Sequence, residues 1–192
     1  MSPKLNIATL LTWFRIAAIP LIVFIYYLPP GQWMRPTASM VFAVAALTDW
    51  LDGYLARRLN QSSKFGAFLD PVADKLMVTT TLVLILQAHP SITNAFIAAI
   101  IIGRELTVSA LREWMAELGA RSIVAVSRFG KIKTIMQMFG LGFMLWEYPV
   151  YGVPIYSIGL LMLIIAAGLT LWSMFVYIRA AMPNLRGADE VS

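Results

Sequence analysis

The chain has 192 residues, 59% of them hydrophobic, and its mean hydropathy is +0.74. An ordinary soluble domain is not expected at this composition, whereas several membrane spans of about 20 residues each would account for it. The absence of cysteine excludes disulfides and thiolate metal sites, and the net charge of +5 is scattered among apolar segments, which favours anionic lipid or phosphate over nucleic acid as a partner.

Hydropathy predicts an all-α, polytopic membrane protein with six transmembrane helices. The predicted spans, in chain order, are residues 6–28, 36–59, 65–87, 91–117, 128–147 and 153–180. They form one predicted domain, residues 1–182, followed by a short cytoplasmic tail, residues 183–192. We interpret the first span as a retained helix because it contains Arg15 and no small-residue cleavage site follows it.

Basic residues near the ends of the spans predict the orientation of the chain. Those at one set of ends are Lys4, Arg57, Arg58, Lys64, Arg112, Arg121, Arg128, Lys131, Lys133, Arg179 and Arg186. Arg35 lies at the opposite set of ends. Because cytoplasmic loops carry an excess of Lys and Arg, both termini are predicted to be cytoplasmic.

Four of the five aspartates lie in one stretch of the chain, as Asp49, Asp52, Asp70 and Asp74. A carboxylate inside a membrane helix costs about 2.5 to 3.5 kcal/mol, so these acids require bound cations, a polar cavity or both. Helical spacing places Asp49, Asp52, Gly53, Ala56 and Arg57 on one stripe, and Gly66, Asp70 and Asp74 on a stripe of the next helix. Two such stripes can face each other, and the small residues leave room for a ligand.

Crowded carboxylates repel one another unless divalent cations lie between them, and oxygen ligands suit Mg²⁺, Mn²⁺ or Ca²⁺. A metal-bridged diphosphate is then the expected ligand. Arg57 lies about 12 Å along the helix axis from Asp49, toward the cytoplasm, where its guanidinium could bind a phosphate oxygen. The alternatives are helix–helix hydrogen bonding, a proton path, or a transporter coupled to divalent cations or protons. Transport predicts access from both sides, whereas these acids cluster toward one.

The spacing D-x2-D-G-x2-A-R-x8-G-x3-D-x3-D resembles the signature of the CDP-alcohol phosphotransferase family, and all eight fixed positions are filled in this chain. The resemblance implies a six-helix fold, usually a homodimer. It implies that Asp49, Asp52 and Asp70 bind two divalent cations, Mg²⁺ or Mn²⁺, which hold the CDP diphosphate. It also implies that Asp74 is the general base, and we count Asp74 among the metal ligands as well.

Three further segments, residues 6–15, 112–119 and 130–134, resemble the members of this family that use CDP-diacylglycerol as donor and glycerol 3-phosphate as acceptor. That reaction implies a bacterial inner membrane, with the active site on the cytoplasmic side. The acceptor hydroxyl, deprotonated by Asp74, would attack the β-phosphorus and expel CMP. The same chemistry with serine, inositol phosphate or phosphatidylglycerol as acceptor stays open.

Two sets of residues are expected to bind these substrates. The donor set is Asn6, Thr9, Gly53, Ala56, Arg57 and Gly66, and the acceptor set is Arg104, Arg112, Lys131 and Lys133. Each set has a structural alternative. Asn6, Thr9 and Arg15 could equally be a helix start with one interfacial arginine. Arg104 could pair internally with Glu105, Arg112 could pair with Glu113 or Glu117 at the surface, and the two lysines could extend to the membrane surface.

Overall fold

The structure is a computed structural model that describes residues 7–29, 33–59, 64–117 and 128–189. Within these ranges the chain is helical, as the sequence predicts, and the helices are α1 (Ile7–Tyr27), α2 (Met34–Leu59), α3 (Lys64–Ala88), α4 (Ile92–Glu117), α5 (Arg128–Trp146) and α6 (Ile155–Asp189). The extended pairing found in the described ranges is an isolated bridge between Val150 and Val153 in the turn before α6. Because α6 continues to Asp189, the predicted domain end at residue 182 does not coincide with the end of a helix.

Three of the described helices are long and apolar enough to cross a membrane, through Leu10–Tyr27, Ile92–Leu111 and Ile155–Val176. Only 28% of each of these segments is buried within the bundle, so most of their apolar surface faces outward. Such surfaces are stable against lipid, and they identify an integral membrane protein. Spans through α2, α3 and α5 stay predictions. Both α2 and α3 contain aspartates, and these residues reduce the hydropathy of the two helices.

The first helix separates the two helices that carry the aspartates. It packs against both α2 and α3, whereas α2 and α3 make little direct contact over the described residues. The fifth helix packs against α2, α3 and α6, and α4 packs against α3 and α6. Large apolar side chains fill the space between these helices, among them Ile22, Phe42, Met77, Ile101, Leu141 and Leu163.

An ionic network joins four segments at the end of the bundle opposite the aspartates. Glu147 follows α5 in a left-handed conformation, with φ of 71°. Its carboxylate oxygens lie 3.2 Å from Nε of Arg35 and 3.1 Å from Nε2 of His89. The Arg35 guanidinium also stacks on Tyr26, 3.5 Å from the ring centroid. These contacts of Glu147, Arg35 and His89 hold helix ends together.

Two glycines allow α5 and α6 to approach each other closely. A Cβ atom built on Gly159 would lie 2.8 Å from the carbonyl oxygen of Gly140 and 2.9 Å from the backbone nitrogen of Met144. These are backbone atoms, which cannot move without shifting α5. Small residues at a membrane helix interface permit this kind of backbone approach. Gly168, further along α6, has no atom within 4 Å of the corresponding position.

We therefore expect Gly159→Ala to destabilise the protein by about 1–3 kcal/mol, because the added methyl group forces α5 and α6 apart. The matched control is Gly168→Ala, which adds the same methyl group to the same helix without a clash and should leave stability within about 1 kcal/mol of the starting protein. Thermal unfolding of both variants in detergent measures the difference. Equal melting temperatures would contradict the close contact.

Candidate active site

One arginine of α1 joins the acidic residues of two other helices. Nη1 of Arg15 lies 2.8 Å from Oδ1 of Asp49, on α2, and donates a hydrogen bond of 2.8 Å to Oδ1 of Asp74, on α3. The Arg15 side chain is fully buried, whereas the two aspartates are partly exposed. The two predicted acidic stripes therefore meet at Arg15 rather than through direct contact between α2 and α3.

A threonine on the same face of α1 reaches the third described aspartate. Oγ1 of Thr12 donates a hydrogen bond to Oδ1 of Asp70. Thr12 precedes Arg15 by three residues, so the two side chains lie on one face of α1, one turn apart. We call Thr12 and Arg15 the α1 bridge. Asp70 is also near enough to Asp49 for the two carboxylates to repel each other.

Arg15 has no single role predicted from the sequence, and Thr12 is not among the predicted site residues. The interfacial alternative for Arg15 is wrong, because its side chain is buried between helices and bonded to carboxylates. A signal was present in the sequence. An arginine inside an apolar span is costly unless it is paired, and the four aspartates are the nearest abundant source of negative charge.

Several predicted site residues fall outside the part of the chain whose side chains are described. The positions of Asp52, Gly53, Ala56 and Arg57 lie on α2, and Thr9 lies on α1, but their side chains are outside the described part, as is the whole of Asn6. Gly66 lies in the first turn of α3 and is buried. The donor-binding roles of these residues stay predictions.

A second group of charges lies between α4 and α5. Oε1 of Glu105 is 2.9 Å from Nη1 of Arg104 and 3.4 Å from Nζ of Lys133. We call these three residues the α4–α5 charge cluster. The Lys133 side chain is only 4% exposed, so it does not extend to the surface, contrary to the alternative considered from the sequence. The internal ion pair between Arg104 and Glu105 is confirmed.

The other two residues of the predicted acceptor set are less fully described. Arg112 lies on α4 and Lys131 on α5, with side chains outside the described part of the structure. Lys131 precedes Lys133 by two residues, and a helix places such residues on different faces. Of the predicted acceptor set, the structure thus brings together Arg104 and Lys133, and it adds Glu105, which the sequence analysis treated only as a partner of Arg104.

The aspartates have the donor chemistry of a hard divalent cation site. Asp49 and Asp74 share a single arginine nitrogen, so their Oδ1 atoms lie no further apart than twice 2.8 Å. Carboxylate oxygens are the kind of ligand that Mg²⁺ and Mn²⁺ prefer. Among the described residues, however, no three acidic, histidine or cysteine side chains form a group that could hold a metal ion. The fourth predicted ligand, Asp52, is outside that set.

Comparison with known proteins agrees with the signature read from the sequence. Residues 5–176 match the family model of CDP-alcohol phosphatidyltransferase. The match covers most of the chain, which therefore belongs to the CDP-alcohol phosphatidyltransferase family and is a transferase. The family predicted from eight spaced residues is confirmed.

Individual relatives agree on the branch of the family. The chain is 50% identical over 182 residues to proteins of Escherichia coli (strain K12) and Shigella flexneri, over 95% of this chain and 98% of each relative. Both relatives are named CDP-diacylglycerol–glycerol-3-phosphate 3-phosphatidyltransferase. The predicted resemblance to this kind of enzyme, also called phosphatidylglycerophosphate synthase, is confirmed.

Proposed function

We propose that this chain transfers the phosphatidyl group of CDP-diacylglycerol to glycerol 3-phosphate, giving phosphatidylglycerophosphate and CMP in anionic phospholipid biosynthesis. The observation that carries the proposal is the identity of 50% to enzymes of that name over 95% of the chain. The grouping of Asp49, Asp70 and Asp74 around the α1 bridge supports it, because it places carboxylates from two helices at one point.

In the proposed reaction, Asp74 accepts the proton of the acceptor hydroxyl. The hydroxyl oxygen forms a new bond to the β-phosphorus of the donor. The bond from that phosphorus to the bridging oxygen breaks, and this oxygen leaves with CMP. Asp74 has two carboxylate oxygens, and Arg15 donates a hydrogen bond to Oδ1, which restricts the orientation of the carboxylate.

Asp49, Asp52, Asp70 and Asp74 are the proposed ligands of two Mg²⁺ or Mn²⁺ ions. Divalent cations, when bound, neutralise the diphosphate and stabilise the negative charge of departing CMP. The chain holds the carboxylates for them: Thr12 binds one oxygen of Asp70, and Arg15 binds one oxygen each of Asp49 and Asp74. These contacts hold the three carboxylates against one face of α1.

Substrate binding is assigned to the two sets of residues named from the sequence. The small residues Gly53, Ala56 and Gly66 leave space for the donor, and Arg57 binds its diphosphate, while Asn6 and Thr9 contact its nucleotide. Arg104, Arg112, Lys131 and Lys133 bind the phosphate of the acceptor. Support for this last assignment comes from the buried amine of Lys133 beside Arg104 and Glu105, since a buried cation that donates to carboxylate also suits phosphate.

The proposed setting is the bacterial inner membrane, with six spans, both termini cytoplasmic, and a homodimer as the working unit. The outward apolar faces of α1, α4 and α6 support a lipid environment. The acidic residues of α2 and α3 and the basic residue Lys133 lie toward the helix ends that residues 60–63 and 118–127 connect. Basic residues concentrate at those ends, which favours a cytoplasmic location.

The proposal is tested by CMP release from CDP-diacylglycerol, with the purified chain in detergent and a panel of acceptors. We expect release with glycerol 3-phosphate, and none with serine, inositol phosphate or phosphatidylglycerol. A chelator should abolish release, and added Mg²⁺ or Mn²⁺ should restore it. Release with a different acceptor would assign the chain to another branch of the family, and metal flux into liposomes without CMP release would favour a transporter.

Replacement of the proposed base gives a first kinetic prediction. Asp74→Asn should lower kcat by about 100-fold to 10,000-fold, because amide nitrogen and oxygen cannot accept the hydroxyl proton. The matched control is Asp189→Asn, the same change in the fifth aspartate, at the last residue of α6. Normal turnover by purified Asp74→Asn would remove Asp74 from the role of base.

Replacement of the buried lysine gives a second kinetic prediction. Lys133→Gln should raise KM for glycerol 3-phosphate by about 10-fold to 100-fold, because a charge-assisted hydrogen bond to phosphate is lost. The KM for CDP-diacylglycerol should stay near its starting value. Arg179→Gln, which removes an exposed cation from α6, is the control and should change neither constant. If the acceptor KM does not change when charge is removed from all four predicted acceptor residues, glycerol 3-phosphate is the wrong acceptor.

A further inference from the structure

We infer that Arg15 is a positioning residue of the metal-dependent reaction, which holds Asp49 and Asp74 as a facing pair before any cation binds. The inference rests on the proposed function and adds a role for α1 to it. Its basis is one nitrogen atom: Nη1 of Arg15 lies 2.8 Å from an oxygen of each carboxylate. This nitrogen carries two hydrogens, one for each partner.

The burial of Arg15 explains why the arrangement is fixed. The side chain is 0% exposed, and a buried guanidinium is stable only when carboxylates or other acceptors surround it. Its two carboxylate partners come from different helices. Because Arg15 cannot lose its proton, its buried charge stays beside Asp49 and Asp74 at every ordinary pH.

Arg15 lies where α1 packs against both of the helices that carry the aspartates. Over the described residues α2 and α3 scarcely touch each other, and α1 packs against both. The fifth helix also packs against both, and Arg15 adds a direct side-chain link between Asp49 and Asp74. Two carboxylates this close repel each other in the absence of cations, and Arg15 offsets that repulsion.

Removal of Arg15 has two opposite effects on the affinity for a divalent cation. The net change in affinity can be measured. Loss of a positive charge beside the carboxylates favours a divalent cation. Loss of the fixed geometry weakens cation binding, because the cation itself must then bring the carboxylates together. An arginine that is only an electrostatic neighbour gives tighter binding when it is removed, whereas a positioning residue gives weaker binding.

The experiment measures Mn²⁺ binding by electron paramagnetic resonance, on the purified full chain in detergent and without substrates. We expect Arg15→Gln to weaken Mn²⁺ binding by about 10-fold to 100-fold, the range seen when residues that orient metal ligands are replaced. In the CMP-release assay kcat should fall by about 100-fold while KM for glycerol 3-phosphate stays within about threefold, since misplaced reacting groups affect turnover rather than acceptor binding. Mn²⁺ binding that is unchanged or tighter would overturn the inference.

Arg15→Lys separates charge from geometry. Lysine keeps the positive charge but replaces the planar fork by a single flexible ammonium group, so Mn²⁺ binding and kcat should fall between those of Arg15 and Arg15→Gln. Arg179→Gln is the control for loss of one cation elsewhere on the chain. If Arg15→Gln does not give monodisperse protein, Arg15→Lys decides: weaker Mn²⁺ binding supports the inference, and an unchanged affinity overturns it.

The two assays distinguish failure of this inference from failure of the proposed function. A chain that binds Mn²⁺ in an Arg15-dependent way but releases no CMP with any acceptor would retain the positioning role and lose the proposed reaction. A chain that releases CMP with glycerol 3-phosphate but has no saturable Mn²⁺ binding would retain the reaction and lose the positioning role.

Discussion

The structure depends on the pairing of a buried arginine with carboxylates from two neighbouring helices. Arg15 is the largest fully buried side chain among the described residues, and it stands in a helix that is otherwise strongly apolar. Its charge can be accommodated only where acidic groups surround it. Asp49 and Asp74 belong to different helices, so Arg15 joins α2 to α3 where α1 packs against both of them.

The same rule governs the α4–α5 charge cluster. Lys133 is almost completely buried, and its amine lies beside Glu105 of the neighbouring helix, which also pairs with Arg104. Polar and charged groups in a membrane protein face the interior of the bundle and pair with one another. In this chain two such groups, around Arg15 and around Glu105, lie where anionic substrates are proposed to bind. Charged side chains that pair with one another in the protein without ligand can thus also serve as the cations or carboxylates that bind a ligand.

Other parts of the fold keep the helices in place without contributing to chemistry. The close approach of α5 and α6 at Gly140 and Gly159 fixes these two helices against each other. At the opposite end of the bundle from the aspartates, Glu147 contacts Arg35 and His89 and so joins the ends of α2, α3 and α5. Rigid packing at these two places helps to hold the charged residues of the candidate active site at defined positions. Catalysis requires reacting groups to be held in this way.

The sequence by itself determined the helices, the family and the acidic motif, because these depend on local spacing. Aspartates three or four residues apart share a helix face wherever the helix lies, and an apolar span is helical in lipid because its backbone groups must be satisfied internally. The α1 bridge was decided by tertiary structure alone. Thr12 lies 58 residues from Asp70, and Arg15 lies 59 residues from Asp74. The sequence of their own segment does not show which helices pack on either side of it. Local periodicity shows on which face of a helix a residue lies. Only the packing of α1 against α2 and α3 determines which residues contact that face.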